Sequence, residues 1–505
     1  MAAFAWSLST SACVFAIRHA EMGVDVNLCG AWAYPGEMAA TGLGQTDREI
    51  ISASKNYWGF QKEFFAGGIF PSMQKSDALL RSWLNRYPAR TIVDGKPKGK
   101  ITWMPSAELT GVKMNGNVLE QVTAGGTTYD CWNAFDGSDE NDLAKAIGLP
   151  MALGRESRNL TGEKAAGLRV PQLQSGTSAI DPVTGNRLPW LKPRPRNSNP
   201  GDGDSSTMAF NTRTIITDDP NRIQFADQVV PGYNPSNYDR EFYLANIKQY
   251  KTIPGAFDDI LQPVFTYNTY DMNSAGILFG NNSQGDMFDW HNSTFAERKL
   301  MWQDYVCRKA GLFKAICSDP RWAAALPEMV ADTKRYGMVP NLWQDSIVPG
   351  WPPMMYIRES FRLRAQETIR EQDVYFPATT VAEPIATYAY HMDRHPAGVW
   401  ASANGFVASE GTEDLEQGEE TGLLMPWGAC KPPIGRCKNV SVGRGIGGTS
   451  LGRVKMRIEI SQMKIADSLA IIAATSEKLG LRSSELDYQT QVKPALLAQG
   501  AVIAL

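Results

Sequence analysis

Residues 2–29 read AAFAWSLSTSACVFAIRHAEMGVDVNLC, and this stretch decides the fold. An apolar run opens it, and a serine-rich turn, SLSTSA (7–12), follows. A helix-like segment then leads into a second apolar run, VDVNLC (24–29). A strand, a tight turn, a helix and a second strand in this order predict a βαβ unit, and therefore an α/β fold with a parallel sheet.

The turn of this unit is unusual for a dinucleotide site. Such a turn is normally glycine-rich, because the pyrophosphate lies on the backbone N–H groups of the helix N-terminus. Trp6, Ser7 and Leu8 stand here instead, and a left-handed backbone at Leu8 would cost roughly 1–2 kcal/mol. The second strand runs into Gly30, where an acid would bind the ribose hydroxyls. From these residues alone, a purely structural βαβ unit is favoured.

The composition narrows the function classes. The chain of 505 residues predicts two intertwined domains, and its net charge of −3 argues against a nucleic-acid or anionic-membrane partner. Seven cysteines without a C-x-x-C pair make a disulfide scaffold or a zinc site improbable. No apolar stretch reaches a membrane span, and no basic residue precedes the apolar start as in a signal peptide. We therefore expect a soluble protein, cytoplasmic or part of an assembled particle.

The distribution of strand-like, helix-like and Pro/Gly-rich segments along the chain predicts a discontinuous domain. Residues 1–165 and 420–505 have α/β character and are predicted to form one domain. Residues 166–419 are predicted to form a second, mixed α+β lobe, which contains a Pro/Gly-rich loop at 181–207. The predicted strands include VDVNL (24–28), ARTIV (89–93), ITWM (101–104), NVLEQV (117–122), YDCWNAF (129–135) and VKMRIEI (454–460), and the predicted helices include 240–250, 295–316, 354–374 and 465–480.

Two further motifs can be interpreted either as functional sites or as ordinary structural elements. A G-x-G-x-x-G pattern at 443–448 precedes residues that resemble loop and strand, so we interpret it as a turn. In YHMDRHP (390–396), His391 and His395 could share a helical face and bind a metal. Alternatively, His395 could act as a base oriented by Asp393, or each histidine could be structural. No third metal ligand is nearby, so no metal site is predicted.

Taken in order, several segments resemble a known family over nearly the whole chain. The sequence is similar to FAD-dependent oxidoreductases of the type often annotated with xanthan lyases. The similarity is carried by STSACVFAIRHAEMGVDVNL (9–28), PGEMAATGLGQTD (35–47), FDGSDENDLAKAIGLPMALGRESR (135–158), AFNTRTIITDDPNRIQF (209–225), GWPPMMYIRESFRL (350–363), YHMDRH (390–395), PWGACKP (426–432) and KMRIEI (455–460). The resemblance implies a Rossmann-type FAD-binding fold split by a substrate or cap lobe.

The resemblance also implies where the cofactor would lie, and the sequence departs from the family there. Glu37 replaces a glycine, Gly30 replaces the acid, and Ser450 replaces a histidine. The helix that lies against the cofactor is expected to begin at Ala466, which would place Asp467 near the pyrophosphate. The implied cofactor-binding positions, which we interpret as a degraded FAD site, are Ser7, Ser9, Thr10, Ser11, Gly36, Met38 and Asp467.

These departures together would cost about 4 kcal/mol or more, which is roughly a thousand-fold in affinity. We therefore predict that the protein has lost FAD and serves as a non-catalytic binding or structural component, with an unknown protein partner or by self-assembly. The alternative is an active FAD-dependent oxidoreductase of a small polar or carbohydrate-like substrate, with His395 as base and Asp393 as its orienter. A third option, a flavin-free lyase or hydrolase, lacks an identifiable acid–base set.

Overall fold

The protein is described by a computed structural model. It describes residues 2–44, 57–65, 72–170, 172–180, 185–187, 199–257, 262–263, 268–273, 279–280, 282, 288–375, 381–402, 404–410, 413–415 and 422–504. Residues 181–184 and 188–198 of the predicted Pro/Gly-rich loop lie outside this part of the chain.

The strands of the described residues are, in chain order, β1 (Ala2–Trp6), β2 (Val26–Cys29), β3 (Thr91–Val93), β4 (Lys96–Lys98), β5 (Ile101–Met104), β6 (Leu109–Asn115), β7 (Val118–Ala124), β8 (Thr127–Asp136), β9 (Met151–Ala152), β10 (Gln172–Ser178), β11 (Thr214–Thr217), β12 (Ile223–Gln224), β13 (Gln262–Pro263), β14 (Thr269–Met272), β15 (Gly337–Met338), β16 (Arg362–Leu363), β17 (Pro384–Tyr388), β18 (Met392–Arg394), β19 (Val399–Ala401), β20 (Phe406–Ser409), β21 (Glu413–Leu415), β22 (Leu423–Pro426) and β23 (Val440–Val442).

The α-helices of the same residues are α1 (Thr10–Glu21), α2 (Phe60–Phe64), α3 (Met73–Leu84), α4 (Asp142–Ala146), α5 (Arg158–Thr161), α6 (Asp239–Lys248), α7 (Ile253–Phe257), α8 (Phe295–Ser318), α9 (Pro320–Ala325), α10 (Pro327–Lys334), α11 (Glu371–Tyr375), α12 (Ser450–Val454), α13 (Glu459–Leu479) and α14 (Lys493–Ala498).

The predicted βαβ unit forms the centre of the main sheet. Strand β1 pairs in parallel with β2 on one side and with β8 on the other, while β5 extends the sheet beyond β2. Strand β23, from the far end of the chain, pairs in parallel with β8. The hairpin of β6 and β7 continues antiparallel from the first half of β8. Helices α1 and α13 pack against each other. The α/β, Rossmann-type fold class is therefore confirmed.

The buried hydrophobic residues form two large clusters. One combines the main sheet with α1, α13 and segments up to Ile503, and the other draws on residues 210–357 around α8. The predicted domain boundaries, 1–165 with 420–505 and 166–419, stay a prediction. Among the helices that the structure describes, none combines the length and the apolarity that a membrane crossing requires.

Several predicted elements match the structure and three do not. The predicted helices at 240–250 and 295–316 correspond to α6 and α8. The strand predicted for VKMRIEI is wrong, because α12 ends at Val454 and α13 already begins at Glu459. The helix predicted for 354–374 is also wrong, since that segment holds only the short strand β16 and the start of α11. The residues 390–396 contain strand β18 rather than a shared helical face.

Candidate functional site

The turn between β1 and α1 keeps the backbone shape of a glycine-rich turn without its glycines. Ser7 has a φ of 87°, in the left-handed region that glycine favours. The strain therefore lies at Ser7 and not at Leu8, where the sequence predicted it. Ser9 is the N-cap of α1, since its hydroxyl accepts a 3.3 Å hydrogen bond from the Ala12 amide. Ser7, Ser9, Thr10 and Ser11 are all buried.

A carboxylate of the chain itself binds to this turn. The Leu8 amide donates to Glu37 Oε1 at 2.8 Å, and the Ser7 hydroxyl donates to the same oxygen at 2.7 Å. The Gly36 amide donates to the Leu8 carbonyl at 2.6 Å and holds this segment against the turn. Glu37, with a φ of 43°, also keeps a glycine-like backbone. The side chain thus binds the kind of donor that a helix N-terminus offers to a phosphate.

A buried charge network continues inward from the turn. Arg444 donates to Asp139 Oδ2 at 2.8 Å and to Glu459 Oε2 at 2.6 Å. The Thr10 hydroxyl donates to Glu459, and Arg444 Nε donates to the Ser11 hydroxyl at 3.3 Å. All these side chains are buried. The hydroxyls that the sequence offered as phosphate donors are therefore engaged with protein groups.

The sequence interpretation missed the centre of this network. Arg444 lies in the glycine pattern that follows β23, and the carboxyl ends of β23 and β1 meet at one edge of the sheet. That parallel topology was the signal that could have found it. The pattern itself serves close packing: a Cβ at Gly443 would lie 2.4 Å from the Phe135 ring, and one at Gly445 would lie 2.0 Å from the Asn141 side chain.

The packing around Gly30 explains why no acidic side chain stands at this position. A Cβ at this position would lie 2.6 Å from the Leu8 amide nitrogen and 2.8 Å from Leu8 Cγ. Such distances are too short for any side chain, because backbone atoms would have to move. Leu8 and Gly30 therefore depend on each other, and no side chain fits at position 30 while the first turn keeps this packing.

Two of the predicted cofactor positions have other contacts. Asp467 lies within α13, which begins at Glu459, so the predicted helix start at Ala466 is wrong. Its predicted place near the pyrophosphate stays a prediction. Its carboxylate accepts a 2.5 Å bond from Arg18 Nε, about 13 Å along α1 from Ser9. Met38 is buried, and its sulfur accepts a 3.3 Å bond from the Ile357 amide.

The predicted base and its orienter are adjacent. His395 Nε2 lies 3.1 Å from Asp393 Oδ2, and Arg457 forms an ion pair with the same carboxylate. Burial lowers the pKa of His395 to about 4, and the charge of Arg358 adds to this effect. The imidazole is therefore neutral near pH 7. Within the described residues, no group of three or more His, Cys, Asp or Glu side chains is placed to hold a metal ion.

A cavity of about 670 Å³ opens beyond the carboxyl end of β2. Its walls include Trp32, Tyr34, Trp302 and Phe295, with Glu108 and Lys299 among the charged groups. Crevices at the carboxyl ends of parallel strands are where α/β folds bind ligands. The Glu37 segment lies just behind this wall, because the Glu37 amide donates to the Tyr34 carbonyl at 3.0 Å.

A comparison with known protein families identifies the family of this chain. Residues 9–496 match the sequence profile of the family described as FAD dependent oxidoreductase, so the chain belongs to that family. Among curated proteins, none is detectably similar in sequence.

Several solved structures match part of the chain. They include thioredoxin reductase of T. acidophilum, with 10% identity, a TM-score of 0.19 and coverage of 32% of this chain and 38% of that one. p-Nitrophenol 4-monooxygenase PnpA of Pseudomonas putida has 8% identity, a TM-score of 0.20 and coverage of 31% and 44%. The aromatic hydroxylase CabE has 14% identity, a TM-score of 0.21 and coverage of 38% and 39%. The matches therefore span less than half of these proteins.

We compared the cavity at Trp32 and Tyr34 and the turn between β1 and α1 with what FAD would require. The cavity lined by Trp32 and Tyr34 offers a volume of about 670 Å³ beside aromatic side chains. A pyrophosphate at the first turn would have to displace the Glu37 carboxylate from the Leu8 amide. It would also approach the buried carboxylates of Asp139 and Glu459. The phosphate end of the site, as these residues are arranged, does not fit the cofactor.

Glu37 gives the first testable expectation, a change in the pH dependence of stability. Burial raises its pKa from 4.5 to about 8, against the opposing effects of Ser7 and Arg444. The folded protein therefore keeps a proton that the unfolded chain releases between these values, and the free energy of unfolding falls as pH rises through that window. We expect Glu37→Gln to abolish this pH-dependent fall in the free energy of unfolding, which amounts to a few kcal/mol.

Urea unfolding of both proteins between about pH 5 and pH 8 measures the effect. Burial also raises the pKa of Asp136 to about 6 and that of Glu140 to about 7, so only the difference between variant and wild type belongs to Glu37. The exposed Glu108→Gln is the matched control and should follow wild type. Parallel curves for Glu37→Gln and wild type would show that Glu37 carries no raised pKa.

Proposed function

We propose that this member of the FAD-dependent oxidoreductase family does not use FAD and acts as a non-catalytic binding or structural component. The observation that carries the proposal is the Glu37 carboxylate on the Leu8 amide. The Glu37 carboxyl group, which its raised pKa keeps mostly protonated near pH 7, occupies the position at the start of α1 where a phosphate would accept from the backbone. The inherited turn therefore has a partner without a cofactor. The partner would be another protein or further copies of this chain.

Two more contacts support the loss of the cofactor. Gly30 cannot carry the ribose-binding acid while Leu8 packs against it. The Arg444 cation, which could otherwise attract a phosphate, is neutralised by Asp139 and Glu459. Restoring the site would therefore require several simultaneous substitutions rather than one. We also propose the two-lobe division, with residues 1–165 and 420–505 forming the Rossmann-type domain and 166–419 the second lobe.

The visible absorption spectrum of the purified protein tests the proposal. The protein should be expressed with added riboflavin, incubated with excess FAD and desalted, so that a shortage of flavin cannot explain its absence. We expect no flavin absorption and no flavin in the supernatant after denaturation. Release of about one flavin per chain would overturn the proposal.

A second candidate function rests on the His395–Asp393 contact at 3.1 Å. His395 is neutral and held by a carboxylate, which is the state of a general base. In this case the protein would be an FAD-dependent oxidoreductase of a small polar or carbohydrate-like substrate. FAD would supply the redox chemistry, and His395 would accept a substrate proton at Nδ1, because Nε2 donates its own proton to the Asp393 carboxylate. Stoichiometric flavin, followed by loss of its reduction by substrate in His395→Ala, would establish this candidate.

A further inference from the structure

Three arginines converge on one partly buried tyrosine, Tyr356. Arg213 and Arg358 lie against the Tyr356 ring, with guanidinium carbons 5.5 and 4.9 Å from its centroid. Arg457 Nη1 donates to the Tyr356 hydroxyl at 3.2 Å. All three arginines are less than 9% exposed, so their charges are shielded from water. Such a concentration of buried positive charge requires compensation.

Carboxylates compensate two of these cations. Arg213 forms an ion pair with Asp271, and Arg457 forms one with Asp393. Arg358 differs, because its guanidinium donates to two neutral acceptors, the Ala209 carbonyl at 2.6 Å and Asn282 Oδ1 at 3.1 Å. Among the described residues, no carboxylate forms an ion pair with Arg358.

Two buried donors in this cluster lack an acceptor. Arg358 Nε and Asn282 Nδ2 are buried and have no hydrogen-bond partner within the described part of the chain. Since Asn282 Oδ1 already accepts from Arg358, these two donors lie on groups that are in direct contact. Buried donors without acceptors are rare in folded proteins and mark the place of a water, an ion or a ligand. Burial lowers the pKa of Arg358 to about 10, and the charges of Arg457 and Arg213 add to this effect, while Tyr356 and Asp393 oppose it.

We propose that Arg358 and Asn282 form a binding site for a small oxyanion, a carboxylate or a phosphate group. The anion accepts from Arg358 Nε and Asn282 Nδ2 and supplies the negative charge that the Arg358 guanidinium lacks. Arg213 and Arg457 add to the positive potential around it, although their own carboxylates neutralise most of their charge. The inference is independent of the proposed function, because this contact requires neither the presence nor the absence of flavin.

The test compares anions at constant ionic strength with the full chain. Sodium phosphate and sodium acetate, titrated against sodium chloride, are expected to raise the Tm saturably by about 2 °C or more. A response to phosphate alone identifies a phosphate site, and a response to acetate as well identifies a carboxylate site. Equilibrium dialysis with labelled phosphate or acetate should find about one ion per chain.

Asn282→Asp makes the test specific. It places a carboxylate beside Arg358, so this variant should have a higher Tm than wild type without added anion and should lose the anion response. Asn292→Asp makes the same chemical change at an exposed position and should respond like wild type. An unchanged response in Asn282→Asp would overturn the proposal.

If Asn282→Asp fails to fold, the dialysis of wild-type protein decides. Absence of any bound phosphate or acetate, together with no saturable rise in Tm, overturns the site. The flavin spectrum reports separately on the proposed function, so the failure of one does not imply the failure of the other.

Discussion

Replacing Arg444 by methionine is expected to lower the free energy of unfolding by about 3–5 kcal/mol. Methionine removes the cation between Asp139 and Glu459, which are both almost fully buried. Two carboxylates then face each other and the nearby Glu37 in a water-excluded site. Urea unfolding followed by fluorescence measures the loss.

Arg436→Met is the matched control, since Arg436 is exposed and lies eight residues earlier in the same chain segment. It should change the free energy of unfolding by less than about 0.5 kcal/mol. Adding Glu459→Gln to Arg444→Met should recover part of the lost stability, because one buried carboxylate without a cationic partner becomes a neutral amide. A loss below about 1 kcal/mol in Arg444→Met would show that the network is not a buried charge cluster.

The second large effect is expected at Gly30. In Gly30→Ala, the new methyl group would lie 2.6 Å from the Leu8 amide nitrogen and 2.9 Å from the Ser7 carbonyl carbon. These are backbone atoms, so the turn must shift, at a cost of about 3 kcal/mol. Gly398→Ala is the control, because a Cβ there meets no atom within 4 Å. Thermal and urea unfolding measure both variants.

The coupling between Gly30 and Leu8 can be measured separately. In a Leu8→Gly background the turn has more freedom and Leu8 Cγ is absent, so Gly30→Ala should cost at least about 1 kcal/mol less there than in wild type. Equal costs in the two backgrounds would contradict the mutual dependence of these residues. Wild-type stability in Gly30→Ala would contradict the packing of the first turn altogether.

The core of the fold was predictable because its signals are local. The apolar run, polar turn and helical period of residues 2–29 specify β1, α1 and β2 without distant contacts. The segment VKMRIEI was wrongly predicted to be a strand, because apolar and charged residues alternate there as in a half-buried strand. Lys455, Arg457 and Glu459 are all buried in the structure, so the alternation does not separate a core face from a solvent face.

The candidate site was only partly predictable for a related reason. Glu37 could be singled out because it follows Gly36 at a position where the family has glycine. Its actual partner, the Leu8 amide, is 29 residues away in sequence and is set by the tertiary fold. Arg444 and Asp139 are 305 residues apart, and nothing in their local sequences indicates that they form an ion pair. The strain at Ser7 instead of Leu8 likewise depends on how the turn meets Gly30.

The most direct test of the central claim is a crystal structure of the wild-type protein grown with millimolar FAD. We predict electron density for the Glu37 carboxylate on the Leu8 amide, as in its present 2.8 Å contact, and no ordered flavin. Density for a pyrophosphate on the first turn of α1, with Glu37 turned away, would contradict the account.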